Sequence, residues 1–206
     1  MPGIEVKQET LDRIHAMLAG VQDADKKVLK PALTRGLMAG KTQASREVRQ
    51  TYHISAGNFK DKGFIRFNNV AQSGEGIIGS IQYSGSAIPL MKFKVSPSMP
   101  KQGVTPSAAV LKSSSLVAFA DRKDVFVAQM KSWHLGIFSR QEGKYSSKRG
   151  SGRNKHTEQL KELYSPAIPT MVGNKKVMES VEDRVSEVIN QRINHEIDRL
   201  LKQNGG

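Results

Sequence analysis

A chain of 206 residues with 32 Lys and Arg against 19 Asp and Glu carries a net charge of +13, a long-range field that attracts nucleic acid or acidic protein surfaces. It has no cysteine, which excludes disulfides, Cys-ligated zinc and thiol nucleophiles together. Hydrophobic residues make up 37% and aromatics 6%, a thin supply for an isolated core of this length, so the composition favours a single domain completed by assembly with neighbours.

Taken in chain order, Leu11, Ile14, Met17 and Leu18 share one helical face between Thr10 and Leu18, which predicts a short amphipathic helix ended by Gly20. The opening MPGIEVKQET has neither the basic nor the apolar region of a signal peptide, and no apolar run approaches a membrane span. From Asp25 a longer stripe follows through Val28, Leu29, Leu33, Leu37, Ala44, Val48 and Tyr52, so helices are expected over 10–52. Pro31 marks a tolerated early position, a kink or a later start. Lys26, Lys27, Lys30, Arg35, Lys41, Arg46 and Arg49 occupy the other faces of this helix. With no aromatic or base-reading side chain among them, they read as a solvated basic face.

GEGIIG, Gly74 to Gly79, spells the glycine pattern of a dinucleotide-binding loop, but that pattern works only where a helix leaves the glycines. Here SIQYSG follows, in which Ile81 and Tyr83 alternate with Ser80, Gln82 and Ser84, as in a half-buried strand. The glycines therefore read as turn geometry, with no nucleotide expected. From Phe64 to Arg140 short β-branched or alternating runs are separated by Gly, Pro, Ser and Asp, which predicts an antiparallel sheet over 64–140. Within it Ser96 to Pro106, with three prolines, reads as a loop or hairpin tip.

The segment 143–157 contains Lys144, Lys148, Arg149, Arg153 and Lys155 with no acid, and is expected to be a mobile basic loop ordered only by a partner. Val177, Val181, Val185, Val188, Ile189, Ile193, Ile197, Leu200 and Leu201 then form a long stripe, predicting a helix over 175–203. Helices, sheet and helix in that order give an α+β fold.

Five histidines raise the question of catalysis. None has a second ligand at helical spacing, and His195 in HEID lacks the second histidine of a zinc helix. His134, in SWHLGIFSR, is flanked by an aromatic and a glycine, yet no nucleophile stands in a recognisable setting. Neither enzyme activity nor a metal or cofactor is expected, unless His134 clusters with carboxylates.

Two stretches bring a family into view. KSWHLGIFSRQ resembles the Gly-His-x-Gly-Val-Phe-x-Arg strand of the prophage minor tail protein Z family, and EQLKELYSPAIPTMV resembles its Pro-Ile-x-Glu-Leu-Tyr-Gly-Pro-Ser-Ile-Pro segment. ALTRGLMAGKTQASREVRQTYHI is similar to the family's N-terminal helix, and GSAIPLMKF to its Ile-Pro-Leu-x-x-Phe strand. The resemblance spans Ala32 to Leu200, with departures at Trp133, at Gln159-Leu160 and at Ser165-Pro166-Ala167.

The resemblance implies a structural, non-enzymatic phage tail completion protein at the head-proximal end of the tail, forming the neck through which DNA passes. It implies a homo-oligomer, a hexameric ring on the usual sixfold tail, with the tail terminator or tail tube protein and the head–tail connector as partners. Such a chain is assembled in the bacterial cytoplasm, ends in the virion and contacts no membrane, while phage DNA in the channel is a further candidate contact. Within that reading Ile137 and Phe138 anchor a strand in the core, and Arg140 bonds a carboxylate of its own chain or of a neighbour. Leu163, Tyr164, Pro166, Ile168 and Pro169 make a rigid apolar corner, either a contact surface or core packing. Lys144, Lys148, Arg149, Arg153, Lys155, Arg140 and Tyr164 are the candidate partner-binding residues, with a neighbouring protein favoured over DNA for the loop. A reading from another class stands beside it: a basic nucleic-acid-binding protein using the 144–155 loop as a phosphate-tracking arm.

Overall fold

Leu11, Ile14 and Leu18 recur at three- and four-residue steps, and they turn one face of helix α1 (Gln8–Met17) inward, with Ile14 fully buried. The computed structural model describes residues 8–62, 64–73, 76–120, 122–145 and 158–204. Two compact units divide the chain, one drawn from Met1–Glu47, Phe64–Ser84 and Val172–Gly206, the other from Val48–Gly63 and Gly85–Met171.

In the first unit α2 (Ala24–Thr51) begins after Asp23, whose positive φ of 55° is one that aspartate tolerates, and it runs on through Pro31 as one helix. Helix α5 (Lys175–Asn204) packs on it. Their shared core joins Val28, Leu29 and Ala32 of α2 to Val185, Ile189, Ile193, Ile197 and Leu200 of α5, with Ile14 and Leu18 closing one end. The contact is close because Gly36 and Gly40 form a notch in α2. A Cβ at Gly36 would lie 2.5 Å from Ile189 Cγ1, and one at Gly40 would lie 2.6 Å from Val185 Cγ2.

Polar pairs tie α5 to both of the other helices: Gln43 Nε2 of α2 donates to Ser180 Oγ at 2.9 Å, and Arg13 of α1 donates to Asn194 Oδ1. Glu196, only 1% exposed, sits within the apolar stripe of α5 between Arg192 Nη2 at 2.6 Å and Arg199 Nε at 2.7 Å. Leu201, expected in that stripe, is exposed instead.

Strands β1 (Phe64–Ser73) and β2 (Gly76–Ser84) complete this unit as an antiparallel hairpin, with a bulge between Asn68 and Ala71. Gly76 and Gly79 thus lie in a strand and no helix leaves them, so the setting of a dinucleotide loop is not formed; Gly74 and Glu75 lie outside the described residues.

The second unit holds α3 (Ala56–Lys62), β3 (Ala87–Pro89), a 3₁₀ turn at Leu90–Lys92, β4 (Lys94–Ser96), β5 (Ser107–Ala109) and β6 (Val117–Ala118). It continues with β7 (Val125–Gln129), β8 (Leu135–Tyr145), β9 (Glu158–Glu162) and β10 (Tyr164–Ala167), and α4 (Ile168–Val172) leads out of it. The antiparallel strands expected over 64–140 are present, and among the described residues the strands are divided among four small sheets, β1-β2, β10-β3, β4-β5-β6 and β7-β8-β9. Since β4 pairs with β5, the Pro-rich stretch 96–106 is the connection between two paired strands. Strand β8 continues to Tyr145, so residues 143–145 belong to a strand rather than to a loop. Leu90, Ala108, Val125, Val127 and Ile137 form the core under these strands. Among the described residues no helix is long and apolar enough to cross a membrane.

Candidate functional site

The turn between β7 and β8 presents the most exposed large apolar side chain described. Met130 N–H donates to His134 O at 2.8 Å and Trp133 N–H donates to Met130 O at 2.9 Å, closing the turn. This places Trp133 at φ 63°, with 82% of its surface in solvent. An indole so displayed gains nothing from the fold, since burial is what makes a large aromatic stabilising.

His134 follows, and its Nε2 lies 2.7 Å from Glu162 Oε1. Glu162 is the β9 partner of Phe138, and its side chain is only 12% exposed. Its other oxygen accepts a hydrogen bond from Tyr164 Oη at 2.8 Å, which pushes the phenol pKa up. The ring of Phe138 meets His134 edge-on with centroids 6.1 Å apart. Gly136 leaves the room for this arrangement: a Cβ there would lie 2.7 Å from Glu162 Oε1 and 2.9 Å from the Phe138 ring.

The clustering of His134 with a carboxylate thus occurs, and its order decides what it can do. In a hydrolytic triad the imidazole stands between nucleophile and acid. Here the carboxylate stands between the imidazole and a phenol and orients both, so these three residues do not have that order. Among the described residues no group of three or more His, Asp or Glu side chains is placed to hold a metal ion. The geometry suits recognition: a rigid turn showing Trp133, with Tyr164, 52% exposed, fixed through the same carboxylate.

Of the residues singled out in the sequence, Ile137 and Phe138 are buried as expected. Tyr164 joins His134 through Glu162, whereas Arg140 does not. The Arg140 guanidinium stacks over the Phe126 ring at 4.8 Å from its centroid, and no ion pair of Arg140 is among those of the described residues; a flat cation fits that aromatic face without any carboxylate. The expected corner is split: Ile168 is fully buried and Leu163 and Pro169 half-buried, while Tyr164 and Pro166 face solvent. Lys144 is exposed near the end of β8, and Lys148, Arg149, Arg153 and Lys155 lie outside the described residues.

Beyond the other end of β7, Arg122 Nη2 and Ser139 Oγ both donate to Asp124 Oδ2, at 2.8 and 2.7 Å. These bonds, Arg122 first, hold the Asp124 carboxyl down at about 2. A folded-state pKa below the ordinary value means stabilisation that is complete above pH ~4 and lost as pH falls towards about 2. Melting temperatures measured from about pH 5 down to about pH 2 are therefore expected to fall more steeply for the wild type than for Asp124→Asn, which has no proton to take up. Parallel curves would show that the cluster stores no such energy.

No protein-family model, no curated protein and no solved structure matches this chain. The family resemblance therefore rests on the sequence stretches named above.

Proposed function

We propose that the chain is a structural, non-enzymatic subunit that completes a phage tail at its head-proximal end and forms part of the neck. The observation that carries this reading is the conformation at Trp133. It stands where the resembled motif has glycine, and its φ of 63° is one that glycine adopts without cost. The motif's second glycine, Gly136, is the one that makes room for Glu162 and Phe138. Two motif positions that each answer a local geometric demand in this chain support the reading of the stretch as a motif.

In this reading the subunits close a ring, six copies on a sixfold tail, by heterologous contacts, which offers the exposed Trp133, Leu160 and Tyr164 a place on neighbours. The ring meets the tail terminator or tube protein and the head–tail connector, and it ends in the virion. Lys144, Lys148, Arg149, Arg153 and Lys155 serve attachment to an acidic surface of a neighbouring ring.

Deleting the gene from its phage is expected to leave filled heads and tails unjoined, with joining restored when the chain is supplied from a plasmid. The variant with those five residues changed to Ser is expected to fold normally yet restore few infectious particles. Normal particles without the chain would overturn the proposal. A monomer absent from particles that takes up DNA through 144–155 would establish the nucleic-acid reading instead.

A further inference from the structure

Helix α2 has seven basic residues and two acids, and the structure separates them. Within the first unit its solvent-exposed positions are Lys26, Lys27, Lys30, Thr34, Arg35, Met38, Thr42 and Arg46, none of them acidic. The two acids are only half exposed and are spoken for: Asp25 Oδ2 lies 2.7 Å from His15 Nε2, and Glu47 Oε1 accepts from Gln43 Nε2 at 2.9 Å. Lys26 pairs with Asp23 at 3.2 Å. Among the described residues what remains is a band of cations, Lys27, Lys30, Arg35 and Arg46, spread at about 100° per residue over the half of the helix opposite the Gly36–Gly40 notch. From Lys27 to Arg46 the band runs about 29 Å along the axis at ~1.5 Å per residue.

We propose that this face of α2 lies against the phosphates of duplex nucleic acid and holds it without regard to sequence. Duplex fits the band better than an acidic protein surface. It offers dense, uniform negative charge on the two strands flanking a groove, which cations spread over half of a helix can meet on both sides, whereas a protein partner would call for apolar contacts and the face shows only Met38. A single strand would call for stacking platforms, and no aromatic residue occurs in α2. Sequence reading would call for free side-chain donors aimed at base edges, yet the Thr34 and Thr42 hydroxyls are donated to Lys30 O and Met38 O of their own helix. The charge band is thus a positioning surface with no reader on it. This inference stands apart from the tail reading, because it concerns the purified chain and DNA alone.

The test is fluorescence anisotropy with labelled duplexes of about 25 base pairs and unrelated sequences, titrated at several salt concentrations. The wild type is expected to bind all of them alike, with log K falling linearly against log salt. The variant Lys27→Gln/Lys30→Gln/Arg35→Gln/Arg46→Gln is expected to flatten that slope by about 3.6, some 0.9 per lost phosphate contact, and to weaken binding at ~0.1 M salt by two to three orders of magnitude. The single variants Lys30→Gln and Arg46→Gln, which leave the helix core untouched, should each flatten it by about 0.9. The five-serine variant of the 144–155 segment serves as the second arm and should keep most of the slope.

No binding by the wild type at low salt would overturn the proposal. So would a quadruple variant that binds as the wild type does, or a slope that disappears only with the five serines. Binding that discriminates between sequences would overturn its sequence-independent part. A wild type that ignores duplex but is retained on an acidic protein would transfer the face to a protein partner.

Discussion

Gly36→Leu is expected to lower stability by about 3 kcal/mol or more, since even the first carbon added at this position meets Ile189 Cγ1 at 2.5 Å and Val185 Cγ1 at 3.3 Å. Neither atom is the end of a flexible chain; both belong to β-branched residues with restricted χ1, so relief requires α5 to move away. Gly36→Ala separates two opposing terms. Alanine gains about 1 kcal/mol of helix propensity, and overpacking costs roughly 1–3 kcal/mol, so the net loss is smaller than for leucine. Ile189→Ala alone should cost about 2–4 kcal/mol through its cavity. Combined with Gly36→Ala it should cost less than the sum, because the new methyl enters the space left by isoleucine. Thr34→Leu, exposed on the same helix, is the control and should change little. Chemical denaturation midpoints read all of these, and a Gly36→Leu variant as stable as the wild type would refute the notch.

Glu196→Ala is the second large effect, expected at about 2–3 kcal/mol. The carboxylate is almost fully enclosed, and among the described residues it is the ion-pair partner of both arginines bonded to it. Breaking a fully buried pair costs about 3–5 kcal/mol; Arg192 and Arg199 keep 31% and 44% of their side chains in water, which places this case lower. Arg192 suffers more, because its Nε is already buried with no hydrogen-bond partner among the described residues. Glu196→Gln keeps the shape and one acceptor and should lose about half as much. Glu196→Met fills the volume and should fall between the two, which distinguishes lost charge from lost packing. Equal losses for alanine and methionine would show that packing at Glu196 contributes nothing.

The helices were legible in the sequence because apolar steps of three and four residues are a local signal: α1, α2 and α5 lie within the ranges 10–52 and 175–203, give or take two residues. Strand β9 was not legible. EQLKE is polar and poor in β-branched residues, and it is a strand only because β8 offers it a ladder. Helix α3 has one apolar anchor, the buried Phe59, and so shows no period. With β9 unseen, the contact between His134 and Glu162 was out of reach, because 28 residues separate them. Glu196 escaped for the opposite reason: a charged letter beside a stripe reads as solvent-facing, and only the arginines one turn away on either side allow it inward. The charges of α2 were all visible as letters, but the inward turn of Asp25 and Glu47 was not.

The seam between α2 and α5 also carries an ambiguity. Along α5 the apolar positions Val177, Val181, Val185, Ile189, Ile193 and Ile197 repeat at intervals of four, and the notch glycines are themselves four apart. A ladder with equal rungs identifies which face must be hidden but not which rung belongs where. Sliding α5 by one turn, about 6 Å, would set Val181 and Val185 over the glycines and hide nearly the same apolar surface. What distinguishes the two alignments is the polar punctuation: Gln43 on Ser180 and Arg13 on Asn194 meet in one alignment only, and slippage would strand all four groups. These exposed or half-buried bonds contribute little to the depth of the native state. They act as alignment marks, separating one folded arrangement from its near-copies, a role that a hydrophobic seam of this regularity cannot fill by itself.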